Sequence, residues 1–294
     1  MLDSHPDVAV PDEAPWLVRL ARDRAAMELG GRLSVERLLD RLNADRSFRR
    51  WGLPEGEVRA TLEGEAPATF ADAVRCLYRM HANRQRKSRY GDKTPWAVMH
   101  IGLLAGLFPE ARFVHVIRDG RDVALSYLEA GFGPPTLEAG ALEWRRYVEA
   151  GRRAGRALGP TRYLEARYED LVASPQAVLE RICAFLELPF VPGMLLYYER
   201  ADEVVGSMPH PQARRNVYLP PTTGLRDWRS ALNPTQQALF TALAGKLLAT
   251  LDYEPGPRPT PRVWAAALGA HVRWRADRVS VRLGRGSSPQ PSNE

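Results

Sequence analysis

The 294-residue sequence is 45% hydrophobic and 26% charged, a globular composition that excludes a disordered or fibrous chain. No run approaches the ~18–20 consecutive apolar residues of a membrane span, and the start MLDSHPDV has neither the basic residues nor the apolar core of a secretory signal, so a cytoplasmic location is expected. Of the net charge of +6, residues 257–294 carry +5, from seven arginines against Asp277 and Glu294. The rest is nearly neutral, whereas a general nucleic-acid binder carries its basic patch on the folded body; no nucleic-acid partner is expected.

The segment through Asp12-Glu13-Ala14-Pro15 reads as a helix end followed by a loop. Gly30-Gly31 reads as a linker. Residues 34–43 and 69–87 have helical periodicity, the second opening on a Thr69–Asp72 cap. Gly91-Asp92-Lys93-Thr94-Pro95 is a turn, and residues 96–108 form an apolar helix ended by Pro109. The run 111–117 is rich in β-formers, stops at Arg118-Asp119-Gly120-Arg121, and leads into a helix to about Glu129. A helix over 138–158 and a strand over 161–166 follow. Ser174-Pro175 and Asn233-Pro234 each open a helix with a polar N-cap and proline at the first helical position. Helices alternating with short apolar strands predict an α/β domain with a parallel sheet. Pro255-Gly256-Pro257 marks a break, so residues 1–254 are expected to form one domain and 255–294 a basic, partly helical or disordered tail. Cys76 and Cys183 lie within apolar helical patterns and read as reduced core residues. The six histidines are scattered, and no metal is expected.

The sharpest element is the strand–turn–helix FVHVIRDGRDVALSY. In a parallel sheet, ligands gather where strands end and helices begin. Arg118 stands at that point and Ser126 about two turns later. A guanidinium fork, a hydroxyl and a helix N-terminus together suit a phosphate group. The competing reading makes Arg118, Asp119, Arg121 and Asp122 a surface ion-pair cluster, with Ser126 incidental.

Arg118 to Tyr127 resembles the motif with which sulfotransferases hold the 3′-phosphate of 3′-phosphoadenosine-5′-phosphosulfate (PAPS). LDSHPDVAVPDE, GDKTP, RYEDLVASPQAVLERICAFLELPF and GLRDWRSALNPTQQALF resemble further blocks of that family, in the same order. The nearest subgroup is the one with the tyrosylprotein sulfotransferases and bacterial relatives. The resemblance implies a P-loop NTPase-like three-layer fold around a central parallel sheet, and a reaction that moves a sulfuryl group from PAPS to an acceptor hydroxyl or amine. By the same resemblance Arg118 and Ser126 bind the 3′-phosphate and Tyr168 packs on the adenine. Lys93 contacts the sulfuryl or bridging oxygen, Glu13 is the general base, and Thr223, Gly224 and Arg226 serve donor binding.

Two departures stand out. Thr94-Pro95 follows Lys93, where the cytosolic small-molecule branch has its acceptor-side histidine, and that branch's closing Arg-Lys-Gly is absent. The family's first strand and its Arg-Ser-Gly-Thr loop, which cradles the 5′-phosphosulfate, have no counterpart before Met1, so the chain as written is expected to be inactive or nearly so. The alternatives are a degenerate sulfotransferase-like binding protein and a P-loop kinase. The acceptor class stays open among peptide tyrosine, carbohydrate, lipid and small molecule. Val263, Ala267, Ala270 and Trp274 recur at helical spacing among arginines, which suits weak contact with an anionic membrane surface or a partner, or equally a solvated helix packing weakly on the domain.

Overall fold

In the computed structural model the described residues are 1–130, 133–202, 217–222 and 227–282. They fall into two compact units. The first holds Met1–Phe113, Pro160–Arg162 and the described part of Leu179–Met208; the second holds Val114–Gly159, Tyr163–Val178 and the described residues beyond 209. No described helix is long and apolar enough to cross a membrane.

The first unit opens with a single 3-10 turn (Leu2–Ser4) and strand β1 (Val8–Ala9), then helix α1 (Pro15–Arg22). The loop expected at Glu13–Pro15 is therefore short and runs straight into a helix. Five of the eight α1 residues are buried, among them Trp16, whose ring meets Phe48 and Trp51 edge-on at 5.4 and 5.3 Å. The remaining three, Pro15, Arg19 and Arg22, lie along one side, where the two arginines form a short polar stripe. Gly30 and Gly31 form the turn of a hairpin, β2 (Glu28–Leu29) with β3 (Arg32–Leu33), and not a linker. Their φ angles of +58° and +78° are what a two-residue hairpin turn requires and what glycine tolerates.

Helices α2 (Val35–Ala44), α3 (Arg46–Arg49), α4 (Glu55–Glu65) and α5 (Phe70–Arg84) follow. The capping box at Thr69 and Asp72 forms as expected. Strand β4 (Arg89–Tyr90) pairs in parallel with β1, Val8 opposite Arg89 and Ala9 opposite Tyr90. The stretch expected as one helix splits into a 3-10 segment (Pro95–His100) and α6 (Ile101–Leu107). Trp16, Leu38, Leu42, Leu62, Phe70 and Leu77 lie at the centre of this unit's core.

In the second unit β5 (Phe113–Ile117) pairs with β6 (Tyr163–Arg167). Helices α7 (Gly120–Ala130) and α8 (Leu137–Leu158) fill the connection, α9 (Tyr168–Ala173) comes next, and α10 (Pro175–Leu186) has its first four residues in this unit and the rest in the first. After a short α11 (Trp228–Ala231), α12 (Pro234–Thr250) starts from the Asn233–Gln236 capping box. Helix α13 (Pro261–Arg282) packs on α12 and α8, with Ala267 and Ala270 buried. The core joins Ile117, Trp144, Trp228, Phe240, Leu248 and Tyr253.

His115 of β5 lies 2.6 Å through Nδ1 from Tyr163 Oη, which donates to Glu165 at 3.1 Å. Burial pushes the imidazole pKa down to about 4. In the unfolded chain it titrates near ~6.5. Between these values the unfolded chain binds the extra proton, so His115 supports the fold above ~6.5 and that support is lost as pH falls towards about 4. Thermal melts across this window are expected to show a fall in Tm that His115→Asn flattens; an unchanged slope in the variant would assign the acid sensitivity elsewhere.

Candidate active site

Pairing β1 with β4 in parallel sets the two strand ends side by side. Glu13 follows one end by four residues and Lys93 follows the other by three, and their side chains form an ion pair, both partly exposed. The connection is pinned below the pair: Thr94 Oγ1 accepts the Ala14 N–H at 2.8 Å. That N–H lies at the start of α1, where no earlier carbonyl serves it. Tyr78, buried on α5, donates its hydroxyl to Asp92 at 2.9 Å and so holds the loop from the other side. His5 is fully buried; its Nδ1 accepts the Asp7 N–H at 3.0 Å, so its Nε2–H donates to the Pro189 carbonyl at 2.9 Å. The segment leading to Glu13 is thereby fixed from both ends. A proton acceptor and a cation sit side by side on held backbone.

The second group is built on the turn between β5 and α7. Asp119 caps α7: its carboxylate accepts the Arg121 N–H at 2.9 Å and takes the Arg121 guanidinium on both oxygens at 3.0 and 2.7 Å. Arg121 is fully buried, with its guanidinium 3.5 Å from the Trp228 ring centroid. The Asp119 N–H donates to Glu169 at 2.9 Å, and Tyr253 Oη lies 3.0 Å from the other Glu169 oxygen. Trp144 Nε1 donates to the Arg118 carbonyl at 3.0 Å. The surface-cluster reading therefore fails for Asp119 and Arg121, which belong to the interior.

Arg118 differs from Arg121. Its side chain keeps 19% of its exposure, its guanidinium stands 4.7 Å from the Tyr168 ring centroid, and its buried Nε has no hydrogen-bond partner among the described residues. Asp122 lies 3.4 Å from Nη2, a long contact. Burial raises the Asp122 carboxyl pKa against the pull of Arg118, and the Trp228 N–H binds its other oxygen at 3.1 Å. Ser126 is half-buried on the second turn of α7. The structure thus brings Arg118 and Tyr168 together, and separately Glu13 and Lys93. Thr223, Gly224 and Arg226 lie outside the described residues.

A cleft of about 140 Å³ adjoins the turn, lined by Asp119, Asp122, Glu169 and Glu254 with Arg167 and Arg229 among others. Four carboxylates against two guanidiniums make it a poor phosphate site, and it is smaller than the ~300 Å³ of typical ligand pockets. Arg118 is not among its lining residues.

Sequence reasoning passed over Trp144, Glu169, Trp228 and Tyr253, which hold the turn. Gly120 shows why. A Cβ there would stand 2.4 Å from the Trp144 ring, so the glycine is required by a residue 24 positions away. Gly120→Ala is expected to cost about 2–3 kcal/mol and to displace the Trp144 bond to the Arg118 carbonyl. Urea unfolding checks this; a variant within ~0.5 kcal/mol of the parent would show that the ring moves aside freely.

Residues 1–192 match the model of a sulfotransferase family. The chain is 22% identical over 267 residues to protein-tyrosine sulfotransferase A of Caenorhabditis elegans, covering 88% of this chain and 64% of that protein. It is 32% identical over 151 residues to the omega-hydroxy-beta-dihydromenaquinone-9 sulfotransferase of Mycobacterium bovis, covering 46% of this chain and 38% of that protein. It thus spans less than two thirds of either relative. Among solved structures it resembles the sulfotransferase domain of the Synechococcus PCC 7002 olefin synthase, with a TM-score of 0.60 and 25% identity over 86% of this chain and 88% of that one. This likeness gives the chain the P-loop-like α/β fold of sulfotransferase domains.

Proposed function

Because the chain belongs to the sulfotransferase family, we propose that it carries a sulfuryl group from PAPS to an acceptor hydroxyl or amine and releases adenosine 3′,5′-bisphosphate. The observation that carries this reading is Arg118: a guanidinium at a strand end, laid over Tyr168, with a buried and unpartnered Nε. Its neighbour Arg121 also has a nitrogen, Nη1, without a partner among the described residues, but it is fully buried and its charge is matched by Asp119 on two bonds, so Arg118 is the cation of the turn that keeps access to solvent. An unpaired buried donor costs free energy, and an anion accepting from it removes that cost. The donor set, one guanidinium fork with the Ser126 hydroxyl beside a helix N-terminus, fits a phosphate.

When bound, PAPS supplies an activated sulfuryl group on a phosphate leaving group. Arg118 and Ser126 hold the 3′-phosphate, and Tyr168 offers a ring face to the adenine. Lys93 Nζ binds a sulfuryl or bridging oxygen. Glu13 takes the acceptor proton on a carboxylate oxygen as the new O–S bond forms. Thr223, Gly224 and Arg226 are assigned to the same nucleotide on the resemblance alone. The names of the two relatives specify a tyrosine and an ω-hydroxy lipid, which favours a hydroxyl acceptor; peptide, carbohydrate, lipid and small-molecule acceptors all fit that class.

Calorimetry with the two nucleotides separates the roles. Lys93→Ala is expected to weaken PAPS about tenfold or more, the worth of a hydrogen bond to a charged group, and to leave adenosine 3′,5′-bisphosphate unchanged. Equal losses for both ligands would remove Lys93 from the sulfuryl end.

A further inference from the structure

Helix α13 turns three different faces outward and inward. Ala267 and Ala270 are buried against the second unit's core, and Trp274 packs beside them. Arg278 closes this side by bonding Glu143 at 3.3 Å and covering the Trp274 ring at 5.0 Å. These contacts fix the rotation of the helix.

With that rotation set, Trp264, Leu268, Val272 and Val279 form one stripe, at spacings of four, four and seven residues. They stay 53%, 67%, 59% and 55% exposed, and they are four of the large apolar side chains most open to water among the described residues. At ~100° per residue this stripe lies roughly 130° round the helix from the buried face. Burying such side chains is worth about 1.5–3 kcal/mol each, so an occupant of this face gains substantially.

The charge pattern selects the occupant. Arg262, Arg273 and Arg275 are exposed and make no ion pair among the described residues. Across α13 five arginines face a single acidic residue, Asp277; Arg275 lies beside the stripe, while Arg262, Arg273 and Asp277 fall on the opposite side, which would face the headgroups' outer edge. The stripe is one residue wide and convex. That shape suits shallow insertion better than a groove, and tryptophan is favoured at a bilayer interface. Arginine stems lie along apolar surface with their heads at the phosphate level. We propose that α13 is an interfacial helix which seats the second unit on an anionic phospholipid bilayer, with Trp264, Leu268, Val272 and Val279 entering the headgroup–acyl boundary.

Co-sedimentation of the 294-residue chain with vesicles tests this. Vesicles of phosphatidylcholine with phosphatidylserine are expected to bind it, vesicles of phosphatidylcholine alone to bind about a hundredfold less, and salt at ~0.5 M to erase most of the difference. Leu268→Ser/Val272→Ser is expected to lower the partition about tenfold or more, and Arg262→Gln/Arg273→Gln/Arg275→Gln about a hundredfold. Both variants should keep the parent Tm and its affinity for adenosine 3′,5′-bisphosphate, since neither touches the core nor Arg118. No binding to either vesicle overturns the proposal. So does equal binding to both vesicles, or a dimer in sedimentation velocity that Leu268→Ser/Val272→Ser splits, which would assign the face to a second copy.

Discussion

Replacing Arg118 with alanine is expected to weaken binding of adenosine 3′,5′-bisphosphate by about a hundredfold or more. The group lost is the guanidinium fork, and hydrogen bonds to a charged acceptor are worth about 1.5–3 kcal/mol each. Arg118→Lys keeps the charge but loses the fork and the planar stacking on Tyr168, which stands 4.7 Å away. It is expected to recover only part of the affinity. Adenosine, which lacks both phosphates, should bind the parent and Arg118→Ala alike. Calorimetry on the three proteins decides it: an alanine variant within threefold of the parent would place the 3′-phosphate elsewhere. Because the Arg118 side chain is not part of the packed core, the variant should melt near the parent temperature.

Arg121→Ala is expected to do the reverse, with its largest effect on stability. Arg121 and Asp119 are both buried, at 0% and 6% exposure, and bonded to each other on two nitrogens. Removing one member of such a pair leaves an uncompensated charge, at about 3–5 kcal/mol. The guanidinium also fills the space over Trp228, so alanine leaves a void against the ring. With ~2–4 °C per kcal/mol for a chain of this size, the expected fall in Tm is about 10 °C. Asp119→Asn should cost less, because it keeps the N-cap acceptor for Arg121 N–H. A drop below ~2 °C for Arg121→Ala would show that the pair contributes little to holding the turn.

The contrast between these two arginines shows what the sequence could and could not disclose. Arg-Asp-Gly-Arg-Asp presents two arginines three residues apart. From spacing alone, the cluster read equally as an anion site or as surface ion pairs. Which arginine is interior depends on Trp228 and Tyr253, more than a hundred residues on, and no local pattern encodes that. The strand before the turn and the helix after it were legible, because apolar β-formers give way abruptly to a charged turn and then to helical spacing. The Thr69 start was legible because a capping residue and its partner lie three positions apart, and the Asn233 start because a polar cap is followed at once by proline.

Where the information was not local, the reading failed. Helix α1 has a proline start and an alanine at the capping position, and its polar side is only Arg19 and Arg22, so two turns of correct helical spacing pass without a start signal. The N–H that a capping side chain would serve is bound instead by Thr94, 80 residues away. The same bond helps set Glu13 against Lys93, so the feature that hid the helix also builds the site. Gly30-Gly31 carries a turn signal, but the flanking Glu28-Leu29 and Arg32-Leu33 are not β-formers, and strands of two residues are too short to support a hairpin reading.

Titration of the unmodified chain with adenosine 3′,5′-bisphosphate, adenosine 5′-monophosphate and ATP with magnesium decides whether Arg118 serves a 3′-phosphate. The bisphosphate is expected to bind about a hundredfold tighter than the monophosphate, from the 3′-phosphate contacts of Arg118 and Ser126, and with no magnesium dependence. Tighter binding of ATP that requires magnesium, or equal affinity for the two adenosine phosphates, would contradict that role.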